Sequence, residues 1–255
     1  MNKALVVVVV AVFGLAGCVT TTPDPFKPQK DLKKAARINT QLGSAYMQQG
    51  NYVRARSKLM RALKQNPDLA EAHSTLAMLY TKQGLKDQAE EQYQTALDLT
   101  PDDPSLQNQY ATFLCLHNHY DRAMQFFHSS ASNPQYVTPQ VAWTNAGVCE
   151  RRQNQPEKAA AYFRKALQLS PDYATALLQL ADLSSSQGSY LQARALMERY
   201  SKVGGSTTPT SLLLNVRIYH ALGKDDQAMD YARELEARFP ASQEMGQLEQ
   251  ALGNG

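Results

Sequence analysis

A pattern of 34 residues, clearest in Ala70–Asp103 (AEAHSTLAMLYTKQGLKDQAEEQYQTALDLTPDD), recurs before and after itself and leaves the chain few architectures. Within it Leu76, Ala77 and Tyr80 stand at helical spacing, and Gly84 interrupts the helix. Ala89, Tyr93 and Ala96 then form a second apolar stripe, which Pro101 closes. The unit predicts a helix, a turn and an antiparallel helix. Neither helix can bury its stripe alone, so stacked neighbours must supply the core.

The ruler is a set of alanines that let two helices approach closely: Ala55, Ala89, Ala123, Ala159, Ala193 and Ala228, at intervals of 34, 34, 36, 34 and 35. A small residue on the first helix recurs as Gly43, Ala77, Ala111, Gly147 and Ala181, and fails at Val216. A large residue on the second helix recurs as Leu59, Tyr93, Phe127, Phe163 and Met197, and weakens to Ala232. Six units follow: 36–69, 70–103, 104–137, 140–173, 174–207 and 209–242. Insertions at Thr138-Pro139 and at Thr208 fall on unit boundaries, where a longer turn costs little entropy. Residues 243–255 hold Met245, Leu248 and Leu252 at helical spacing and predict a final helix that covers the last unit. On these residues each unit resembles the tetratricopeptide repeat. The resemblance implies an all-α, right-handed superhelix with a concave groove.

The N-terminus obeys a different logic. Lys3 precedes the apolar run Ala4–Phe13, too short for the ~20 residues that span a bilayer, so residues 1–17 read as a signal peptide. A short N-terminal anchor helix is the alternative. Leu15-Ala16-Gly17-Cys18 resembles a bacterial lipobox, which implies that the Cys18 thiol receives diacylglycerol and that the mature chain hangs from a membrane. Val19, rather than Asp, follows it, which goes with sorting to the outer membrane. Residues 18–35 then form a tether; its Val19–Gln29 part is Pro/Thr-rich and reaches at most roughly 40 Å when extended. Helix formers take over from Lys30.

Enzymatic signals are thin. The five histidines, His73, His117, His119, His128 and His220, form no metal motif, although His117 and His119 share a turn that either binds a metal weakly or is simply solvated. Phosphate-binding, dinucleotide-binding and serine-nucleophile motifs are missing, so no cofactor, catalytic residue or small-molecule substrate is expected. A formal net charge of +3 without a Lys/Arg block sets nucleic acid aside. The reading is a binding protein.

Its candidate surface is the concave face, formed in this repeat class by positions 2, 5, 9, 12 and 13 of each first helix. Here these are Arg37, Thr40, Ser44, Met47 and Gln48, then Glu71, Ser74, Met78, Thr81 and Lys82. Thr112, Cys115 and Leu116 follow, and then Val141, Val148, Arg151 and Arg152. Methionines beside small hydroxyls suit an apolar peptide or helix, unless Met47 and Met78 pack between repeats instead. Thr40 and Ser44 stand where chaperone-docking repeats hold a carboxylate, which disfavours that partner. Cys115 and Cys149 lie on first helices of adjacent units; they either bridge or remain two small buried hydrophobes.

Two segments, NQYATFLCLHNHYDRAMQFFHSSASNPQY and AWTNAGVCERRQNQPEKAAAYFRKAL, resemble the PilF/PilW lipoproteins of type IV pilus biogenesis, on Asn108, Tyr110, Phe113, Leu114, Cys115, Asn145, Ala146, Gly147 and Cys149. The resemblance implies that Cys115 and Cys149 form a disulfide and that the asparagines sit in turns. It also implies a pilotin, a lipoprotein that binds secretin subunits in the periplasm and promotes their assembly at the outer membrane. The rival expectations are a generic scaffold lipoprotein for cell-wall or outer-membrane assembly and, from another class, a peptidoglycan-acting enzyme.

Overall fold

The computed structural model describes residues 27–253. The expected signal peptide, the expected lipidation residue Cys18 and the first part of the expected tether lie outside the described residues. Twelve helices alternate as first and second members of six pairs: α1 (Lys27–Gln48) with α2 (Tyr52–Gln65), α3 (Ala70–Lys82) with α4 (Lys86–Leu99), and α5 (Pro104–Leu116) with α6 (Tyr120–Ser132). The series continues with α7 (Pro139–Arg152) and α8 (Pro156–Leu169), α9 (Ala174–Ser186) and α10 (Tyr190–Lys202), and α11 (Pro209–Ala221) and α12 (Asp225–Arg238). No strand occurs among the described residues, and none of their helices is long and apolar enough to cross a membrane.

The turn inside each pair needs one residue in the left-handed region. Gly50, Gly84, Gly188 and Gly223 supply it in four units, and Asn118 and Asn154, at φ 64° and 57°, supply it in the third and fourth. Between pairs, proline opens α5, α7 and α11 at a position where its missing N–H is no loss. The inserted Thr138 and Thr208 are the cap residues before α7 and α11, and Thr208 exchanges side-chain and backbone hydrogen bonds with Ser211.

Packing follows the small-against-large pattern. Ala55, Ala89, Ala123, Ala159, Ala193 and Ala228 are completely buried. Where the first-helix residue is glycine the fit is tightest, since a Cβ on Gly43 would lie 2.6 Å from Leu59 Cγ and one on Gly147 2.5 Å from Phe163 Cε1. In the sixth unit the bulk changes sides. Val216 and Ala232 are both buried in one cluster with Leu212, Leu213, Leu235 and Leu248, so a larger first-helix residue offsets a smaller second-helix one. First helices touch first helices, α1 to α3 and onward to α11, and this row makes the concave wall.

Two element boundaries differ from expectation. Helix α1 begins at Lys27, not Lys30, so residues 27–35 are helical rather than tether; Pro28 falls in the first turn, where it obstructs no hydrogen bond. The final helix is split into a 3-10 turn at Gln243–Gln247 and a short α13 (Leu248–Gly253). Gly246 lies within the 3-10 turn and weakens an α-helix there. Leu248 is still buried against the last pair, with Met245 and Leu252 partly covered beside it.

Candidate peptide-binding groove

On the concave side of units two to four two adjoining cavities, of about 350 and 140 Å³, share Thr112, Leu116 and Asn145. Their walls come mainly from three consecutive first helices, with Met78, Thr81 and Lys82 on α3, Asn108, Phe113 and Leu116 on α5 and Asn145, Val148 and Arg152 on α7, and Tyr93 of α4 and Phe127 of α6 add the second-helix side. The lining is mainly carbon, with Leu116 44% exposed on the shared rim, and Lys82 and Arg152 are its basic members. Such a floor can take an apolar side chain from a docked segment, and the two cations favour acidic groups beside it.

The floor is braced from below. Cys115 and Cys149 form a disulfide that ties α5 to α7 with Cα atoms 5.8 Å apart, and Cys115 lines the smaller cavity. Above it Asn145 Nδ2 donates to Asn108 Oδ1 at 3.1 Å, and Asn108 Nδ2 donates to the Tyr136 hydroxyl at 3.4 Å. Both asparagines lie inside helices, not in turns as the family resemblance implied, because the turns come later, at Asn118 and Asn154. Tyr93 and Phe113, which line the larger cavity, pack with Tyr110 behind them, their own ring centroids 5.3 Å apart. Burial pushes the Tyr93 phenol well above its ordinary range, and the neighbouring Thr81 hydroxyl offsets this only in part. It therefore stays neutral.

The expected groove residues divide into three sets. Met78, Lys82 and Leu116 line the same cavity. Arg37 and Glu71 are exposed and Ser44 is half-buried, but none of these three borders that cavity. Three others are withdrawn from the surface. Thr40 Oγ1 donates to Ala36 O at 3.0 Å and Ser74 Oγ to Glu71 O at 3.1 Å, so each hydroxyl is spent on its own helix. Met47 is buried in the core of units one to four, which leaves Met78 as the methionine that faces the groove. Asn108, at position 5 of unit 104–137, lines the cavity as the spacing requires, and the side chains that spacing misses are Tyr93, Gln109, Phe113 and Asn145. Asn145 and Gln109 occupy the same place, sixth in units 140–173 and 104–137, as does Gln179 in 174–207, and that run of amides is the signal that could have found them.

His117 and His119 flank the turn between α5 and α6. His117 packs on Phe113 with ring centroids 4.6 Å apart, and burial, then the nearby Lys86 and His119, holds its imidazole below the ordinary value. Among the described residues no group of three or more His, Cys, Asp or Glu side chains is placed to hold a metal.

Residues 46–112 and 150–206 match the family described as Tetratricopeptide repeat. The chain is 30% identical to the type IV pilus assembly protein PilF of Pseudomonas aeruginosa strain PAO1, over 95% of this chain and 96% of that one. It is 28% identical to an uncharacterized protein of Haemophilus influenzae, over 54% of this chain and 74% of the other. The crystal structure of PilW, a type IV pilus biogenesis factor, is similar with a TM-score of 0.72 at 31% identity, over 84% of this chain and 97% of PilW. Pseudomonas aeruginosa PilF gives a TM-score of 0.70 at 28% identity, over 86% and 99%. The relatedness thus runs through all six units and is not confined to the repeat signature that unrelated helical arrays share.

Proposed function

The chain belongs to the PilF/PilW family of type IV pilus biogenesis proteins, and on that premise we propose that it is a non-enzymatic pilotin, a lipoprotein that binds secretin subunits and promotes their multimerisation. The supporting observation is the near full-length kinship with PilF, in a chain that also carries an apolar groove across units two to four. In this reading the lipid on Cys18 anchors the protein to the outer membrane, facing the periplasm. Residues 19–26 and the helical segment from Lys27 set its reach, and Met78, Phe113, Leu116 and Val148 take an apolar segment of the secretin.

Secretin multimers in outer-membrane fractions provide the test, in cells with the wild-type chain, a deletion, Cys18→Ala or Leu116→Glu. Multimers should vanish in the deletion, accumulate in the wrong membrane with Cys18→Ala, and fall with Leu116→Glu although the protein level is unchanged. Multimers untouched in all three strains would remove the secretin from the reading and favour a scaffold lipoprotein with another client.

A further inference from the structure

The first unit exposes a helix face that the later units bury. In units two to five the third, seventh and tenth residues of the first helix are buried, as Ala72, Leu76 and Leu79 are, because the preceding unit packs on them. In the first unit the same places hold Ile38, Leu42 and Ala45, and all three are exposed, Ile38 by 47% and Leu42 by 40%. They stand at i, i+4 and i+7 on one face of α1, and among the described residues no helix precedes α1 to cover them. At the other end of the array the last pair is covered by Leu248 and its neighbours.

The same unit is strongly basic. Residues 31–65 hold eight Lys and Arg against one acid, Asp31, whereas residues 66–255 hold fifteen Lys and Arg against twenty-one Asp and Glu. The eight are interspersed along the sequence, and pairing α1 with α2 gathers them on one unit. Seven of them are exposed, and among the described residues none pairs with a carboxylate. Lys34 precedes Ile38 by one turn, and the Arg54 guanidinium stands 5.7 Å from the ring centroid of Tyr46, one turn after Leu42. Exposed apolar side chains beside unpaired cations match a surface that offers both acyl chains and negative headgroups. A second copy of the chain would set one basic unit against another and is disfavoured.

We propose that this N-terminal end of the array is a membrane-docking face, which lies on a bilayer that contains anionic phospholipid. Ile38, Leu42 and Ala45 meet the acyl boundary, and Lys34, Arg54 and the other cations of the unit lie among the headgroup phosphates. The choice of a bilayer as occupant rests in part on the lipid-anchor reading given above, since residues 19–26 separate Cys18 from α1 by at most roughly 30 Å. The array then stands on its first unit, with the groove of units two to four held clear of the lipid.

Residues 19–255, which hold every described helix and lack Cys18, can be sedimented with phosphatidylcholine vesicles, pure or with about 30% phosphatidylglycerol. The anionic vesicles should bind at least about tenfold more tightly than the neutral ones, and about 0.5 M salt should release most of the protein. Ile38→Gln/Leu42→Gln and Lys34→Glu/Arg54→Glu should each weaken binding by about tenfold or more. All four positions are exposed, so folding survives, and an unchanged melting temperature checks that. Equal binding to both kinds of vesicle, no binding to either, or full binding by the Lys34→Glu/Arg54→Glu variant overturns the face. If poly-glutamate displaces the protein from anionic vesicles and the Ile38→Gln/Leu42→Gln variant binds as tightly as the wild type, the partner is an acidic polypeptide and the membrane is overturned. The assay contains neither a lipidated cysteine nor a secretin. Failure here with Cys18→Ala still mislocalising multimers removes the face alone, and binding here with Cys18→Ala harmless in cells removes the anchor alone.

Discussion

The concave wall changes character halfway along. In units two to four its cavities are lined by Met78, Phe113, Leu116 and Val148, whereas in units five and six a cavity of about 710 Å³ is lined by Asp182, Arg217, His220 and Asp225. The scaffold beneath does not change in step. Ala111 with Phe127 and Ala181 with Met197 are the same small-against-large pair, buried in both halves. The ties across the wall differ as well, covalent between α5 and α7, ionic between α7 and α9, where Arg151 reaches Asp182 at 2.7 Å. In a stacked array the positions that repeat make the fold, and those that do not repeat decide what each stretch can hold.

If the disulfide is the strongest of these ties, removing it should produce the largest change. A 34-residue separation is worth about 3–4 kcal/mol by chain entropy, and the Cys115→Ala/Cys149→Ala double variant should lose stability of that order in urea unfolding. Cooperativity should fall as well, since a solenoid whose central interface is weakened can open there first. A loss no larger than that from cutting the ionic tie would erase the contrast between the two halves.

Next comes the scaffold pair in its tightest form. Gly147→Ala would push a methyl carbon into the ring of Phe163, which is completely buried and has nowhere to go, at a cost of about 1–3 kcal/mol. The mirror change in the other half, Ala181→Gly, should cost only about 0.5–1 kcal/mol, the ordinary penalty for glycine inside a helix. Thermal melts of the two variants compare them directly. Leu116→Glu probes the groove instead, and on the pilotin proposal it should reduce capture of secretin from membrane extracts by at least about tenfold with little change in melting temperature, because its side chain is 44% exposed.

Much of this was legible in the sequence, for a physical reason. Helix periodicity, the alanine ruler and the closing prolines record contacts that each unit must repeat, so the six pairs and their order follow from one unit. What did not repeat was harder to read. Pro28 marked a tether by composition but sits in a first helical turn, where proline is harmless. Thr40, Ser74 and Met47 occupy groove positions by counting, yet two hydroxyls turn back to their own helix and the methionine packs inward. Counting gives the direction of a Cα–Cβ bond, and these outcomes depend on rotamers and neighbours beyond it. Asn108 falls on a groove position by counting and Asn145 does not, and only the pairing of α5 with α7 brings their amides together.

The smallest effect belongs to the ionic tie. Arg151 donates to both Gln179 at 2.9 Å and Asp182 at 2.7 Å, with the Arg151 and Asp182 side chains 30% and 32% exposed. Water and salt therefore screen the pair, and Asp182→Asn, which keeps shape and a hydrogen-bond acceptor, should cost at most about 1 kcal/mol. That cost should shrink in 0.5 M salt, on the order of the screening that reduces the Debye length to a few ångströms, whereas the cost of losing the disulfide should not. A salt-independent loss of several kcal/mol at Asp182 would mean that this interface is held by a desolvated charge pair. The two halves of the wall would then be equally rigid, and their difference would lie only in what they bind.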